Sequence, residues 1–368
     1  MNDLLKDTLT WRAETTEPAP LDLDALIDAG RRRSRRRRFT IAATTTVVAL
    51  AALATGFTAV RAIGNDPGPA GRSAPYTEHR PTYAIGNVIH YGKDTIRAAG
   101  KVTAMAQTDA GLVYATGEPD HPGEVTLLDG SGKHVLGGRT QYPSLISDGH
   151  SVIAWFEEEA AGAPSGRYVV YDVSQHSQLL QLPLDTKTTN VTTIDRGFVY
   201  VMATTRLDRI DLRTGKRSQV RDTQGRSPVD ISGRNYLLTE PAGPAWALFL
   251  GDLLGPGHQR VAGGLPTWVG GFAPDGKHAV VGPDDEGVPA GRLQVNTVPA
   301  GKELSIGSTA YRWQRFAGWL DNDRFTMVAA KDRTWPADLL TCSIAAANCT
   351  VTKPNVAPSE SGIVYLSR

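Results

Sequence analysis

Along most of this chain short apolar runs alternate with polar turns, and one combination recurs. A turn holding Asp or Ser with Gly or Asn is followed directly by four to six apolar or aromatic residues of strand type. The copies are DAGLVYAT from Asp109, DGHSVIAW from Asp148, DRGFVYVMA from Asp195, SGRNYLL from Ser232, DGKHAVV from Asp275, DNDRFTMVA from Asp321 and ESGIVYL from Glu360. Asp or Ser with Gly supplies a tight turn, and the β-branched and aromatic residues after it suit a buried strand near the middle of a sheet. Successive copies begin 39, 47, 37, 43, 46 and 39 residues apart. Seven units of about 42 residues match the blade length of β-propellers, in which one four-stranded sheet is one repeat. The expected fold class is therefore all-β, with about seven blades.

Each unit carries further strands. EVTLLDGSGKHVL (Glu124 to Leu136), RYVVYDVSQHSQLLQL and DRIDLRTGKRSQV each read as two strands joined by a polar or Gly-bearing turn, the pattern of an outer hairpin. The last signature lacks such a hairpin, because the sequence stops at Arg368. YAIGNVIHYGKDTIRAAG (Tyr83 to Gly100) shows the outer-hairpin pattern with no signature before it, and is expected to complete the final sheet. Sharing one blade between both chain ends leaves no open edge in the ring.

The first 81 residues follow a different pattern. From Phe39 to Val60 no charged residue occurs, 22 positions against the roughly 20 that cross a bilayer as a helix. Directly before this run stands RRRSRRRR; Arg31, Arg32, Arg33, Arg35, Arg36, Arg37 and Arg38 act as topology determinants, since basic residues beside a span stay on the cytoplasmic side. The expected protein is single-pass in the cell membrane, N-terminus inside, with its C-terminal bulk outside. The run is rich in Ala and Thr, Arg36-Arg37-Arg38-Phe39 partly resembles a twin-arginine export signal, and Ala54-Thr55-Gly56 offers small residues for cleavage. A cleaved signal is the alternative to an anchor, and either one exports the domain. Residues 61–81 are rich in Gly and Pro without apolar periodicity and read as a linker. The expected organisation is a cytoplasmic arm at 1–38, a transmembrane helix at 39–60, a linker at 61–81 and an extracytoplasmic propeller at 82–368.

Within the arm, Leu4, Leu5 and Leu9, then Leu23, Leu26 and Ile27, fall at helical spacings, divided by Pro18 and Pro20. Both segments are too short to hold as isolated helices in water. Residues 2–29 read either as a docking segment for a cytoplasmic protein partner or as a disordered lead-in to the anchor.

Composition narrows the partners. The 38 Gly and 23 Pro are spread along the chain, as many turns require. The formal charge is +1, and residues 1–38 hold nine Lys or Arg against seven Asp or Glu, so the outer domain is close to neutral. It has no electrostatic footprint for nucleic acid. The Arg stretch itself reads as a topology signal resting on anionic headgroups rather than as a nucleic-acid arm.

One repeat carries a resemblance. FAPDGKHAV (Phe272 to Val280) resembles the S-P-D-G-K turn and strand of TolB-type and WD-like propeller repeats, although no Trp-Asp pair ends any repeat. The layout of acidic LDLDALIDAG arm, Arg cluster, span and propeller also resembles membrane-anchored propeller proteins of high-GC actinobacteria, some of which are encoded beside extracytoplasmic-function sigma factors. The resemblance implies a propeller over 82–368 and, for the arm, a link to a regulator such as a sigma factor. The arm has no His and Cys pattern of a zinc-binding anti-sigma domain.

Candidate chemistry is sparse. Cys342 and Cys349 lie in TCSIAAANCTVT, read as the outer hairpin of the sixth blade, and a close even pair in an exported domain points to a disulfide. The rival is a redox pair or metal site, whose usual spacings C-x6-C does not match. None of His79, His90, His121, His134, His150, His176, His258 and His278 is paired at a metal-ligand spacing, and His150 and His278 are expected to share a structural role behind their signature Gly. Asp284-Asp285-Glu286 offers oxygen ligands to calcium but reads as a solvated turn. Trp246, Trp268, Trp313, Trp319 and Trp335 are expected in inter-blade cores, with Trp335 the most exposed, against a rival carbohydrate-stacking surface. No G-x-S-x-G elbow and no phosphate-binding Gly loop with Lys occur, and no cofactor or metal is expected. The leading function is a non-enzymatic binding, sensing or scaffold propeller for an unknown extracellular ligand or protein. The alternative is a cell-surface propeller enzyme, a lyase or glycan-active protein, that uses the helix only as a tether.

Overall fold

The chain falls into two units, 1–69 and 70–368. The computed structural model describes residues 76–368 apart from 118–122, 141–144, 160–164, 186–187, 189, 204, 223–227, 243–244, 256, 266–267, 284–292, 307–309, 332–335, 358–362 and 366–368. The arm, the Arg cluster and the span expected at 39–60 lie outside the described residues. Among the described residues no helix is long and apolar enough to cross a membrane.

The described strands form seven four-stranded antiparallel sheets. In blade II the chain meanders outward through β4 (Val102–Thr108), β5 (Gly111–Thr116), β6 (Gly123–Asp129) and β7 (Gly132–Thr140). Blade III runs from β8 (Ile146–Ser147) to β11 (Ser177–Pro183), blade IV from β12 (Asn190–Asp195) to β15 (Arg217–Asp222), and blade V from β16 (Pro228–Ser232) to β19 (His258–Leu265). Blade VI runs from β20 (Trp268–Phe272) to β23 (Glu303–Leu304), and blade VII from β24 (Trp313–Trp319) through β26 (Ala337–Ser343) to β27 (Asn348–Ala357). Six of the seven signatures form the turn between the first and second strands of blades II to VII, and their apolar run is the second strand.

Blade I closes the ring, with β28 (Ile363–Tyr365) paired to β1 (Thr82–Ile85), then β2 (Val88–Tyr91) and β3 (Asp94–Arg97). Both chain ends share this sheet, as expected, but they divide it three strands to one rather than two to two. The segment from Tyr83 holds three strands of four residues or fewer joined by two-residue turns, Gly86-Asn87 and Gly92-Lys93, with both glycines at φ +59°. Strands that short carry too few residues to show a period, so the segment reads as one hairpin. Ile363–Tyr365 consequently enters as the innermost strand, with Val364 opposite Ala84.

Among the described residues there is no single core. Their apolar side chains gather in seven clusters, each lying between two neighbouring blades. On β5, Val113 and Ala115 pack toward blade III while Leu112 and Tyr114 pack toward blade I. Each second strand is thus covered on both faces, which is why the signatures read as continuous apolar runs instead of alternating ones. Trp155, Trp313 and Trp319 all lie in these seams, and the Trp319 indole N–H donates to the Gly271 carbonyl at 3.1 Å across the VI/VII seam. Trp335 and the side chains of Trp246 and Trp268 lie outside the described residues.

Candidate functional site

Because every blade is an antiparallel meander, its first and third turns emerge at one end of the ring. That end carries the signature turns, and residues 76–81, which lead into β1, lie on it too. In blades III and VII the acidic residue that opens the signature folds back on its own turn. Asp148 Oδ1 accepts from the backbone N–H of His150 and Val152 at 2.7 and 3.0 Å, and Asp321 Oδ1 accepts from Asp323 and Arg324 at 2.9 and 2.7 Å. Asp195 instead reaches the next blade, accepting from Gly233 N–H at 2.8 Å. Burial pushes the Asp148 carboxyl above the usual carboxylate range, against these N–H groups, which favour its ionised form.

Deeper in the ring, Asp230 on β16 joins three successive innermost strands. It accepts from the Thr193 hydroxyl of β12 at 2.9 Å and from the Phe272 N–H of β20 at 2.8 Å. Gln107 of β4 plays a comparable part for blade I, donating to Thr82 Oγ1 at 2.7 Å and to the Arg80 carbonyl at 2.9 Å.

Two carboxylates of blade II each lie between two imidazoles. Asp109 Oδ2 is 2.8 Å from His150 Nδ1, and its Oδ1 is 3.4 Å from His79 Nε2. Asp129 Oδ1 and Oδ2 are each 3.3 Å from an imidazole Nε2, that of His134 and that of His176, whose rings meet edge to face at 5.1 Å. In both groups a histidine of blade III crosses the II/III seam. His278, in contrast, heads the second strand of blade VI and enters neither group, so it does not share the part played by His150. Burial works against ionisation of Asp129, but the Ser131 and Gly132 donors and His134 outweigh it and hold its pKa below the ordinary value.

Ser131, His134 and Asp129 are close enough to invite comparison with a nucleophile relay. The Ser131 hydroxyl is 2.8 Å from His134 Nε2 and 2.7 Å from Asp129 Oδ1, and the same Nε2 faces that carboxylate. A relay needs the two partners on opposite ring nitrogens, so that the carboxylate orients the base that deprotonates the hydroxyl. Here the carboxylate holds the hydroxyl directly, which stabilises the turn.

Among the described residues no three His, Cys, Asp or Glu side chains converge as metal ligands. Asp284-Asp285-Glu286 and His121 lie outside them. Cys342 and Cys349 face each other across β26 and β27 and are joined as a disulfide, Cα atoms 4.0 Å apart. Asp129 and His134 share one hairpin turn, but sequence reasoning missed the groups because His176, His79 and His150 reach their carboxylates from another blade or from residues 76–81, at separations no local spacing records.

The sequence matches no described protein family, and no curated protein matches it. Its likeness is to solved structures. The β-propeller domain of the Trilobed protease from Pyrococcus furiosus, reported to have an open velcro topology, superposes with a TM-score of 0.54 at 13% identity, covering 78% of this chain and 98% of that one. An acylaminoacyl peptidase in complex with a chloromethyl ketone gives 0.50 at 11%, covering 73% of this chain and 48% of that one, so the present chain spans about half its length. TolB from Acinetobacter baumannii gives 0.41 at 15%, covering 72% and 73%. At such identities the likeness concerns the fold alone. The described residues form a seven-bladed β-propeller.

Proposed function

We propose that the chain is a non-enzymatic binding, sensing or scaffold protein. Its propeller is extracytoplasmic, tethered by a helix at 39–60, and residues 2–29 contact a cytoplasmic regulator such as a sigma factor. The observation that carries the binding reading is the use of polar side chains at the ring: Asp195, Asp230, Gln107 and Trp319 fasten blade to blade and make a rigid platform for loops. The disulfide at Cys342–Cys349 favours an oxidising compartment. The Arg cluster before an uncharged run favours the tether.

Deleting residues 2–30 tests the inner half of the reading. Crosslinking in the producing cells is expected to recover a cytoplasmic protein with the full chain and to lose it with the deletion. If every interaction and phenotype survives, the arm does not signal and the tethered surface enzyme becomes the better account. For the outer half, a reporter enzyme that needs an oxidising compartment is expected to be active when fused after Arg368 and inactive when fused after Arg38.

A further inference from the structure

The first turns of blades IV, V and VI join innermost strands to second strands, so on the signature end they stand nearest the axis of the ring. They are Asp195-Arg196-Gly197, Ser232-Gly233-Arg234 and Asp275-Gly276-Lys277, with one cation in each. In blades V and VI the second place of the turn is a left-handed glycine, Gly233 at φ +59° and Gly276 at φ +71°. In blade IV that place is taken by Arg196, at φ +49°. A long side chain in this conformation is strained and persists only where the surroundings hold it.

The turn carries Arg196 across to its neighbours. Its Nη1 stands 3.0 Å from where a Cβ on Gly233 would be, and its Nη2 stands 4.0 Å from the corresponding place on Gly276. The guanidinium thus reaches the bare backbone of two adjacent turns. Its one carboxylate contact among the described residues is Asp195 Oδ2, 3.8 Å from Nε, and no hydrogen bond to a described residue occupies it. Below it, Ser232 Oγ is buried with no hydrogen-bond partner, 2.6 Å from that same place on Gly276. Arg234 and Lys277 add exposed cations in the neighbouring turns. We propose that this cluster seats an acidic segment of a partner protein, with a carboxylate of that segment on the Arg196 guanidinium.

The carboxylates nearby do not cancel the cations toward solvent. Asp195 is the inner member of its pair, 9% exposed against 64% for Arg196, and the same order holds for Asp275 under Lys277 and Asp252 under Arg234. Each of these acids also accepts a backbone N–H, from Gly233, Lys277 and Leu254 in turn. An approaching anion therefore meets N–H donors before it meets a carboxylate. The unoccupied fork of Arg196 matches a carboxylate with two parallel hydrogen bonds. Exposed ion pairs hold weakly, so Arg234 and Lys277 are free to exchange Asp252 and Asp275 for an arriving acid. The inference rests on the binding reading and names the chemistry of the partner; it does not depend on the membrane anchor.

Arginine modification of the full-length protein in nonionic detergent tests it. Phenylglyoxal adds to accessible guanidinium groups, and mass spectrometry of the digest reads Arg196 apart from the arginines at 31–38. A saturating capped peptide of about eight glutamates is expected to slow modification of Arg196 about fivefold, and that of Arg234 as well. The glutamine peptide of equal length is expected to leave both unchanged, as is either peptide for Arg312, an exposed arginine at the opposite end of the ring. Glycine accepts the left-handed turn, so Arg196→Gly is expected to melt no lower than the native protein while protection of Arg234 is lost. Absence of protection by the glutamate peptide would overturn the site, as would equal protection by the glutamine peptide. Protection by inorganic polyphosphate alone would overturn it in favour of a phosphate polymer. A marked fall in the melting temperature of Arg196→Gly would overturn it too, because Arg196 would then serve the fold. The binding reading fails separately, if crosslinking through the propeller in the producing cells recovers no partner.

Discussion

Asp230 sits where three blades meet, and its buried carboxylate is the partner of a hydroxyl from one and an amide from the other. Removing it leaves Phe272 N–H and Thr193 Oγ1 without that acceptor inside the ring, at about 1–3 kcal/mol for each abandoned group. Asp230→Ala is expected to lower stability by about 3 kcal/mol, seen as a lower urea midpoint with an unchanged slope. A variant as stable as the native protein would show that the ring is not joined there. Gly276 in the FAPDGKHAV turn is a second such position. It lies at φ +71°, and a Cβ there would meet Ser232 Oγ of blade V at 2.6 Å. Gly276→Ala is expected to cost about 1–3 kcal/mol from backbone strain alone. Titration adds a pH dependence. Burial lowers the pKa of both His79 and His90, the latter with help from Lys353. Unfolded, both bind protons near 6.5; folded, only at lower pH, so the stability present above 6.5 is lost as pH falls through the folded values. The melting temperature is expected to fall between about pH 6.5 and 5, and the double substitution His79→Gln, His90→Gln to flatten that fall.

At the scale of single elements, the signature strands were legible for a physical reason. A blade is covered on both sides, so Leu112, Val113, Tyr114 and Ala115 of β5 are all buried and form an unbroken apolar run. The signature Asp residues were legible as turn formers, and their carboxylates do accept turn N–H groups in Asp148 and Asp321. Nothing local distinguishes Asp195, which uses the same position to grip Gly233 of the next blade. The cysteine pair was legible from spacing, because two residues flanking a hairpin turn come to lie opposite one another. Closing so short a loop stabilises by about 2 kcal/mol in the chain-entropy account. Replacing both Cys342 and Cys349 by Ala is expected to lower stability by about that much while the fold persists. Mass spectrometry of protein produced in an oxidising compartment is expected to find no free thiol, and two free thiols would refute the bridge.

For the whole molecule, ring closure is the feature with the most at stake, since among the described residues β28 supplies three to blade I. Ala84→Cys with Val364→Cys places two thiols directly opposite each other in the observed register. They are expected to form a disulfide without loss of the folded state and to raise the melting temperature, because the bond closes nearly the whole propeller into one loop. Failure to oxidise, while the native protein remains folded, would refute the three-to-one sharing of the blade.

The sequence by itself determined the repeat, its length, the turn-and-strand grammar of each blade and the sharing of one sheet by both ends, since all of these depend on neighbours close along the chain. It also carries the uncharged run behind seven arginines. Only the tertiary structure decided how the closing blade is divided, which polar groups bind blade to blade, and that His79, Asp109 and His150 come together. Those relations join residues whose separation along the chain is set by the ring, and no period in the sequence records them.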